Sequence, residues 1–360
     1  MRLIATIGAN RLNHTHTYNI NHKSYKQKVS FLALAEDFDI KDIVLIGTKE
    51  SEESIKELLN DNIKMVIVDS SDVSEVFQKS LEYISKDTIL DLTQGYRHYP
   101  MLTLLASAFL QNRENKNIKD IFYAQIVSNE CKPYLESCTY DFISLSYYLD
   151  IANMAKIIDT FKNTLIVPEY DVIDRDFNIL KRNLRRLSKT IFSNNFNKSK
   201  LIVKETIESL KIVTDTKKLT FLDEHLKILE NELKTIKDLA SSKESLTLLN
   251  VSEYFLNKDI FLHSVTFLYE SMVAFLDEKL SIEKCNSYKD TYRRRNCLKK
   301  SLKNCKYIEL FKCKDFSKIL KKVDILRNSS AHAFTSSNSN KDLESEITAH
   351  IKNLRKIMIF

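Results

Sequence analysis

The chain predicts an α/β domain followed by an all-α region. Three observations carry that reading. Through about residue 128, short apolar runs alternate with segments of helical periodicity, the pattern of a parallel sheet with helical crossovers. Beyond about residue 141, strand signals fade and long helical patterns take over. All three glycines of the 360-residue chain, Gly8, Gly47 and Gly95, stand directly behind strand-like runs. In open parallel sheets the carboxyl ends of strands are where ligands bind.

Taken in order, residues 3–7 (LIATI) are the first strand, a short β-branched run. Residues 10–23 are polar and read as a loop over the ligand site. Residues 25–38 show helical periodicity through Val29, Leu32, Ala33 and Leu34. Strand two is 43–46 (IVLI), a helix follows over 53–59, and strand three is 65–68 (MVIV). Residues 73–84 are helical, 88–92 form strand four, and 101–111 are helical, with Pro100 in the first turn. Residues 118–127 form strand five. The domain is Rossmann-like but lacks GxGxxG, so a dinucleotide is not indicated. Helices are expected over 141–163, 176–192, 198–212, 219–241, 260–281, 288–302, 315–327 and 340–358, with Pro168 in a linker. The expected organisation is a sensor-like domain at 1–150, a helical connector at 151–245 and a C-terminal helical domain at 246–360.

Three Gly and three Pro favour a largely helical chain, and 43% hydrophobic residues suffice for a core. No apolar run approaches the roughly 20 residues that span a membrane, and the N-terminus lacks a secretory pattern; the expectation is a cytoplasmic protein. The six cysteines form no CxxC pair, which disfavours a zinc ribbon and leaves free thiols as the expectation. The net charge of +7 divides into −5 over residues 1–150 and +12 over the rest. The segment 284–322 alone carries 14 basic and three acidic residues. Such a C-terminal half fits a polyanionic partner, although solvated lysine faces produce the same bias.

Asp91-Leu92-Thr93-Gln94-Gly95-Tyr96-Arg97-His98-Tyr99-Pro100 is the most informative stretch. It places a turn-forming glycine and an arginine fork, suited to phosphate, between a strand and a helix. Asp91 can hold this turn through Asx-type bonds. Gly47-Thr48-Lys49 repeats the arrangement at strand two. A second constellation is Arg327-Asn328-Ser329-Ser330-Ala331-His332. On a continuous helix Arg327 and His332 stand about 140° apart, so convergence requires the helix to break at residues 328–330, whose types suit a helix end. An Arg that neutralises phosphorane charge and a His that moves protons can perform phosphoryl chemistry without metal. His14, His16 and His22 offer a rival, a metal site, but on a polar loop without fixed geometry.

This combination resembles the CARF–HEPN ribonucleases that accompany type III CRISPR systems. The N-terminal carriers are Thr6-Ile7-Gly8, Gly47-Thr48-Lys49-Glu50 and Asp91–Arg97, where Gln94 stands in place of the family's typical His. The C-terminal carrier is Arg327-Asn328-x3-His332, which fits R-x(4–6)-H with the frequent Asn after Arg. The resemblance implies a CARF domain that binds cyclic oligoadenylate, with cyclic tetra-adenylate favoured, through Gly8, Asn10, Gly47, Thr48, Lys49, Thr93, Gln94, Gly95 and Arg97. It implies a homodimer and a HEPN site in which Arg327, Asn328 and His332 cleave single-stranded RNA without metal or cofactor, leaving 2′,3′-cyclic phosphate and 5′-OH ends. The competing function is a ligand-sensing regulator that binds nucleic acid without cutting it.

Overall fold

The computed structural model describes residues 1–9, 12–69, 71–85, 87–110, 118–193, 196–216, 222–279, 293, 297, 313–331 and 340–359. The chain divides into two compact units. One comprises Met1–Ile157, Val167–Arg182 and Thr216–Leu222; the other comprises Ile158–Ile166, Asn183–Asp215 and Asp223–Phe360.

The first unit is built on an eight-stranded sheet. Its strands are β1 (Arg2–Thr6), β2 (His16–Ile20), β3 (Lys23–Gln27), β4 (Asp42–Gly47), β5 (Ile63–Ile67), β6 (Thr88–Asp91), β7 (Ile118–Ile126) and β8 (Thr139–Ser144), in spatial order β3-β2-β8-β7-β6-β1-β4-β5. The five strands from β7 to β5 are parallel. All residues of β6, and all but the first of β1 and β4, are buried, as expected of strands covered on both faces. Helix α1 (Ser30–Asp37) contributes to the core on one face, through Phe31, Ala33 and Leu34. Helices α3 (Val73–Tyr83) and α4 (His98–Leu110) contribute Val76, Tyr99, Ala106 and Leu110 to a second core on the other. Helix α2 (Lys49–Ser54) is a short turn behind β4, followed by a 3₁₀ turn at Lys56–Leu58.

The sheet is mixed rather than parallel throughout. β2 and β3 form an antiparallel hairpin where a loop and the start of a helix were expected, so α1 begins only at Ser30. The hairpin joins the sheet through β8, parallel to β2 and antiparallel to β7, and β8 occupies the start of the expected helix 141–163. Cys131 and Cys138, expected as free thiols, are joined across the β7–β8 loop with 5.9 Å between their Cα atoms; Cys297 is likewise disulfide-bonded.

The remaining helices are α5 (Ser146–Thr164), α6 (Arg175–Phe192), α7 (Phe196–Thr216), α8 (Asp223–Asp238), α9 (Glu244–Leu256), α10 (Phe261–Lys279), α11 (Cys313–Ala331) and α12 (Asn340–Ile359). Helix α9 has no counterpart among the expected elements. Helix α8 buries Leu226, Leu229, Leu233 and Ile236 at a 3-4-3 spacing, the stripe of an amphipathic helix. In the second unit α9–α12 share one core, with Leu249, Leu268, Met272, Phe316, Val323 and Ile347 fully enclosed. Among the described residues, no helix is long and apolar enough to cross a membrane. The expected helix 288–302 and most of the basic segment 284–322 lie outside the described residues.

Candidate functional site

β1, β4 and β6 run in parallel, so Gly8, Gly47 and Gly95 fall at one edge of the sheet. The turn after β6 is held from below. Asp91, fully buried, accepts the Ser30 hydroxyl at 2.6 Å and the Thr93 N–H at 3.0 Å. The latter bond is the Asx-type contact that fixes the turn. Burial pushes the Asp91 carboxyl pKa above its ordinary value, while the bonds from Ser30 and Thr93 oppose that shift. The Thr93 hydroxyl accepts the Ala124 N–H of β7 at 2.9 Å, and the Thr6 hydroxyl of β1 donates to the Gln94 carbonyl. Gly95 has φ +102°, and a Cβ there would stand 3.1 Å from Thr6. Only glycine adopts that backbone without strain. The Cβ position of Gly8 lies 3.4 Å from the Gly95 Cα, so the two turns pack backbone to backbone.

Above this turn lies a cavity of about 580 Å³. Thr93, Gln94 and Gly95 form one side. Tyr123, Ala124 and Ile126 of β7, Tyr140 of β8, His16 and Tyr18 of β2, and Leu12, Lys28, Pro133 and Tyr134 line the rest of the cavity. Tyr18 and Tyr140 stack with centroids 5.1 Å apart, and His16 meets Tyr140 edge-on at 5.6 Å. His16 Nδ1 accepts the Cys138 N–H at 3.1 Å. Burial, and then the neighbouring His14, lower the His16 pKa, which keeps the imidazole neutral at pH 7. Burial raises the Tyr18 and Tyr140 phenol pKa values, so both remain protonated. Lys28 is the cationic side chain in the lining and pairs with Glu57 at 2.5 Å. Hydroxyls, aromatic rings and one lysine suit a ligand with flat rings and a localised negative charge.

Of the expected ligand contacts, Thr93, Gln94 and Gly95 line this cavity and Gly8 backs it. Gly47, Thr48 and Lys49 lie at the end of β4, outside the lining. Thr48 caps α2, accepting the Ser51 N–H at 3.4 Å, and is 2% exposed. Arg97 is exposed and also outside the lining. Asn10 lies outside the described residues. His16 and Tyr18 fall within residues 10–23, expected over the ligand site but as a loop rather than a strand; Tyr123, Tyr134, Tyr140 and Lys28 were not expected in the lining, because β8 was not expected as a strand and the β7–β8 loop brings in Tyr134 from far along the chain. The three histidines of the metal rival do not converge. His16 opens strand β2 and His22 sits in the hairpin turn beyond its last residue, Ile20, about 13 Å of strand away. Among the described residues no three His, Cys, Asp or Glu side chains cluster as metal ligands.

In the second unit, α11 runs unbroken through Arg327 and Asn328 to Ala331. The break expected at 328–330 is absent. The Ser329 hydroxyl donates back to the Ile325 and Leu326 carbonyls at 2.9 and 3.0 Å, which satisfies it within the helix. The Arg327 guanidinium lies 4.0 Å over the Tyr269 ring of α10. Its Nη2 is 3.0 Å from Asp324 Oδ1 and donates to Asn328 Oδ1 at 3.0 Å. His332 lies outside the described residues.

No family model matches the chain, and no curated protein matches it. Among solved structures it is similar to Enterococcus italicus Csm6 bound to cyclic hexa-2′-fluoro-hexa-dAMP, at 10% identity and a TM-score of 0.47, over 99% of this chain and 93% of that one. A likeness at that level bears on neither the activity nor the ligand of this chain.

Proposed function

We propose that the chain is a cyclic-oligoadenylate-activated, metal-independent endoribonuclease of the CARF–HEPN kind, acting on single-stranded RNA in type III CRISPR defence in the cytoplasm. The observation that carries the reading is the cavity at the carboxyl end of β6, lined by the turn Thr93–Gly95 and by tyrosine rings. Its volume falls within the roughly 300–1,000 Å³ of small-molecule sites. Tyrosine faces stack purines, and Lys28 with the Thr93–Gly95 turn meets phosphate and ribose. A ring of four nucleotides overfills one such cavity, so the reading includes a homodimer that shares the ring. Gly47, Thr48, Lys49 and Arg97 then serve parts of the ring beyond the cavity, and Asn10 belongs to the same set.

The chemistry belongs to Arg327, Asn328 and His332. The RNA 2′-OH attacks the adjacent phosphorus, the bond to the 5′-oxygen breaks, and the products carry a 2′,3′-cyclic phosphate and a 5′-OH. Arg327 neutralises charge on the pentacoordinate phosphorus. His332 moves the proton, which an imidazole does efficiently near neutral pH. Asn328 orients Arg327, the contact seen at 3.0 Å. Residues 1–150, 151–245 and 246–360 act as sensor, connector and nuclease, and the ligand acts by binding the active arrangement more tightly than the resting one.

Calorimetric titration tests the ligand. Cyclic tetra-adenylate binds saturably, linear tetra-adenylate binds more weakly, and Tyr134→Ala lowers affinity about tenfold, the scale of one lost base–aromatic stack. Absence of binding for cyclic tetra- and hexa-adenylate alike rejects the sensor.

A further inference from the structure

We propose that Tyr269 is the positioning residue for Arg327: its ring is the platform that orients the guanidinium toward the scissile phosphate. The inference rests on the ribonuclease reading and deepens it. Tyr269 lies in the middle of α10, 2% exposed, within the core shared by α9–α12. A ring so enclosed has a fixed plane. The Arg327 carbon Cζ stands 4.0 Å above it, so the flat guanidinium lies on the ring face, the geometry in which the ring quadrupole attracts a cation.

The polar contacts of Arg327 define what remains available. Asp324 Oδ1 and Asn328 Oδ1 both engage Nη2. Among the described residues, Nη1 and Nε have no partner. Nη1 lies on the Cδ side of the guanidinium and the Nε–H on the other, so each of these nitrogens can donate singly to a phosphate oxygen. One face is therefore on Tyr269 and one corner is tied, which leaves Nε and Nη1, among the described residues, as the donors for an anion's oxygens.

Asp324 alone does not set this pose. Its side chain is 43% exposed, and exposed pairs one turn apart on a helix contribute little. The aromatic contact is at a buried ring, where desolvation strengthens it. The ring is also held by a core that a half-exposed carboxylate lacks. With Tyr269 removed, Arg327 keeps its charge and loses its orientation, which costs turnover more than RNA binding.

The test compares Tyr269→Phe, Tyr269→Leu and Arg327→Ala in cyclic tetra-adenylate-stimulated RNA cleavage in EDTA, with thermal unfolding of each. Tyr269→Phe stays within about threefold of the wild type. Tyr269→Leu loses about ten- to thirtyfold in kcat with KM within about twofold, the range that loss of a desolvated cation–π contact supports. A second readout does not depend on turnover. In ¹⁵N-arginine-labelled protein, the Arg327 Nε–H resonance, assigned by its loss in Arg327→Ala, is ring-current shifted upfield in the wild type and in Tyr269→Phe, and returns to the ordinary position in Tyr269→Leu. Unchanged kcat in a folded Tyr269→Leu, with Arg327→Ala inactive, overturns the positioning role and leaves the nuclease intact. Tyr269→Phe as poor as Tyr269→Leu overturns the ring as the cause. A wild type that cuts no RNA overturns the ribonuclease reading and the positioning role with it, and the resonance then reports a purely structural stack.

Discussion

A single methyl added at Gly47 should be among the most damaging changes in the first unit. Gly47 closes β4, and its ideal Cβ would lie 2.7 Å from Ile7 Cγ2, 2.8 Å from the Ile7 carbonyl oxygen and 3.0 Å from Met65 Cε. The methionine can move aside, but the Ile7 carbonyl cannot move freely. The Ile7 N–H donates to the Ile46 carbonyl at 2.9 Å, and the Val68 N–H donates to the Gly47 carbonyl at 2.9 Å, so both backbones are pinned to their neighbours. Relief requires separating the chain after β1 from β4, in a core whose residues are nearly all buried. Overpacking of this kind costs about 3 kcal/mol. With a urea slope of roughly 2–3 kcal/mol per molar, the midpoint falls by about 1 M. Gly8→Ala is the internal control. Its Cβ meets Gly95 Cα at 3.4 Å, an ordinary contact, and its midpoint should move by less than about 0.3 M. Urea unfolding followed by far-UV circular dichroism decides the matter. Equal midpoints for the two variants would refute the steric account of the β1–β4 edge.

Asp91 makes stability depend on pH. Its folded pKa is raised by burial above the unfolded value near 3.8, so the folded state binds the proton more tightly. The associated stability is fully present below the unfolded pKa and is lost as pH rises through the folded one. Asp91→Asn should therefore gain melting temperature relative to the wild type as pH climbs from 4 to 8, and a difference independent of pH would contradict this. In the second unit Lys258 and Glu232 pair at 2.7 Å with side chains 11% and 13% exposed. Lys258→Met leaves the Glu232 carboxylate its bond from the Tyr254 hydroxyl but no countercharge, and should cost about 3 kcal/mol, much of it recovered by adding Glu232→Gln, as thermal unfolding of the single and double variants would report. The Cys131–Cys138 link closes an eight-residue loop, so Cys131→Ser should cost about 2.5 kcal/mol by loop entropy. Maleimide should label Cys131 in the folded protein only after reduction, and labelling of Cys131 without reductant would show the link absent.

How much of this was legible follows from burial. β1, β4 and β6 are buried along almost their whole length, so Leu3–Ile7, Ile43–Ile46 and Thr88–Leu92 stand out as apolar runs. β2 buries only His16, Tyr18 and Ile20 on one face, and β3 buries no residue fully. In β3 no apolar run exists to find, and Tyr25 with Val29 mimics the spacing of a helix that begins only at Ser30. Helix α9 escaped for the opposite reason. It buries Leu249, Val251, Ser252, Tyr254, Phe255 and Leu256 around its circumference, and a helix enclosed on several sides carries no stripe. In the site, the turn Thr93–Gly95 was visible because strand, glycine and helix follow one another directly. Lys28, Tyr123, Tyr134 and Tyr140 were not, since register between distant strands assembles them, and His16 was placed near the site only as part of a loop. Arg327 was singled out by its short motif, whereas Tyr269, on another helix, left no trace in that motif.

The central claim is an RNA-cutting chain switched on by a cyclic oligoadenylate, and one assay addresses it most directly: cleavage of a labelled single-stranded RNA in EDTA, with and without cyclic tetra-adenylate or cyclic hexa-adenylate, beside His332→Ala. The account predicts cleavage that the cyclic ligand stimulates, that EDTA spares, that His332→Ala abolishes, and that leaves 2′,3′-cyclic phosphate ends. Cleavage lost in EDTA, or ligand-dependent RNA binding without any cleavage, would contradict it.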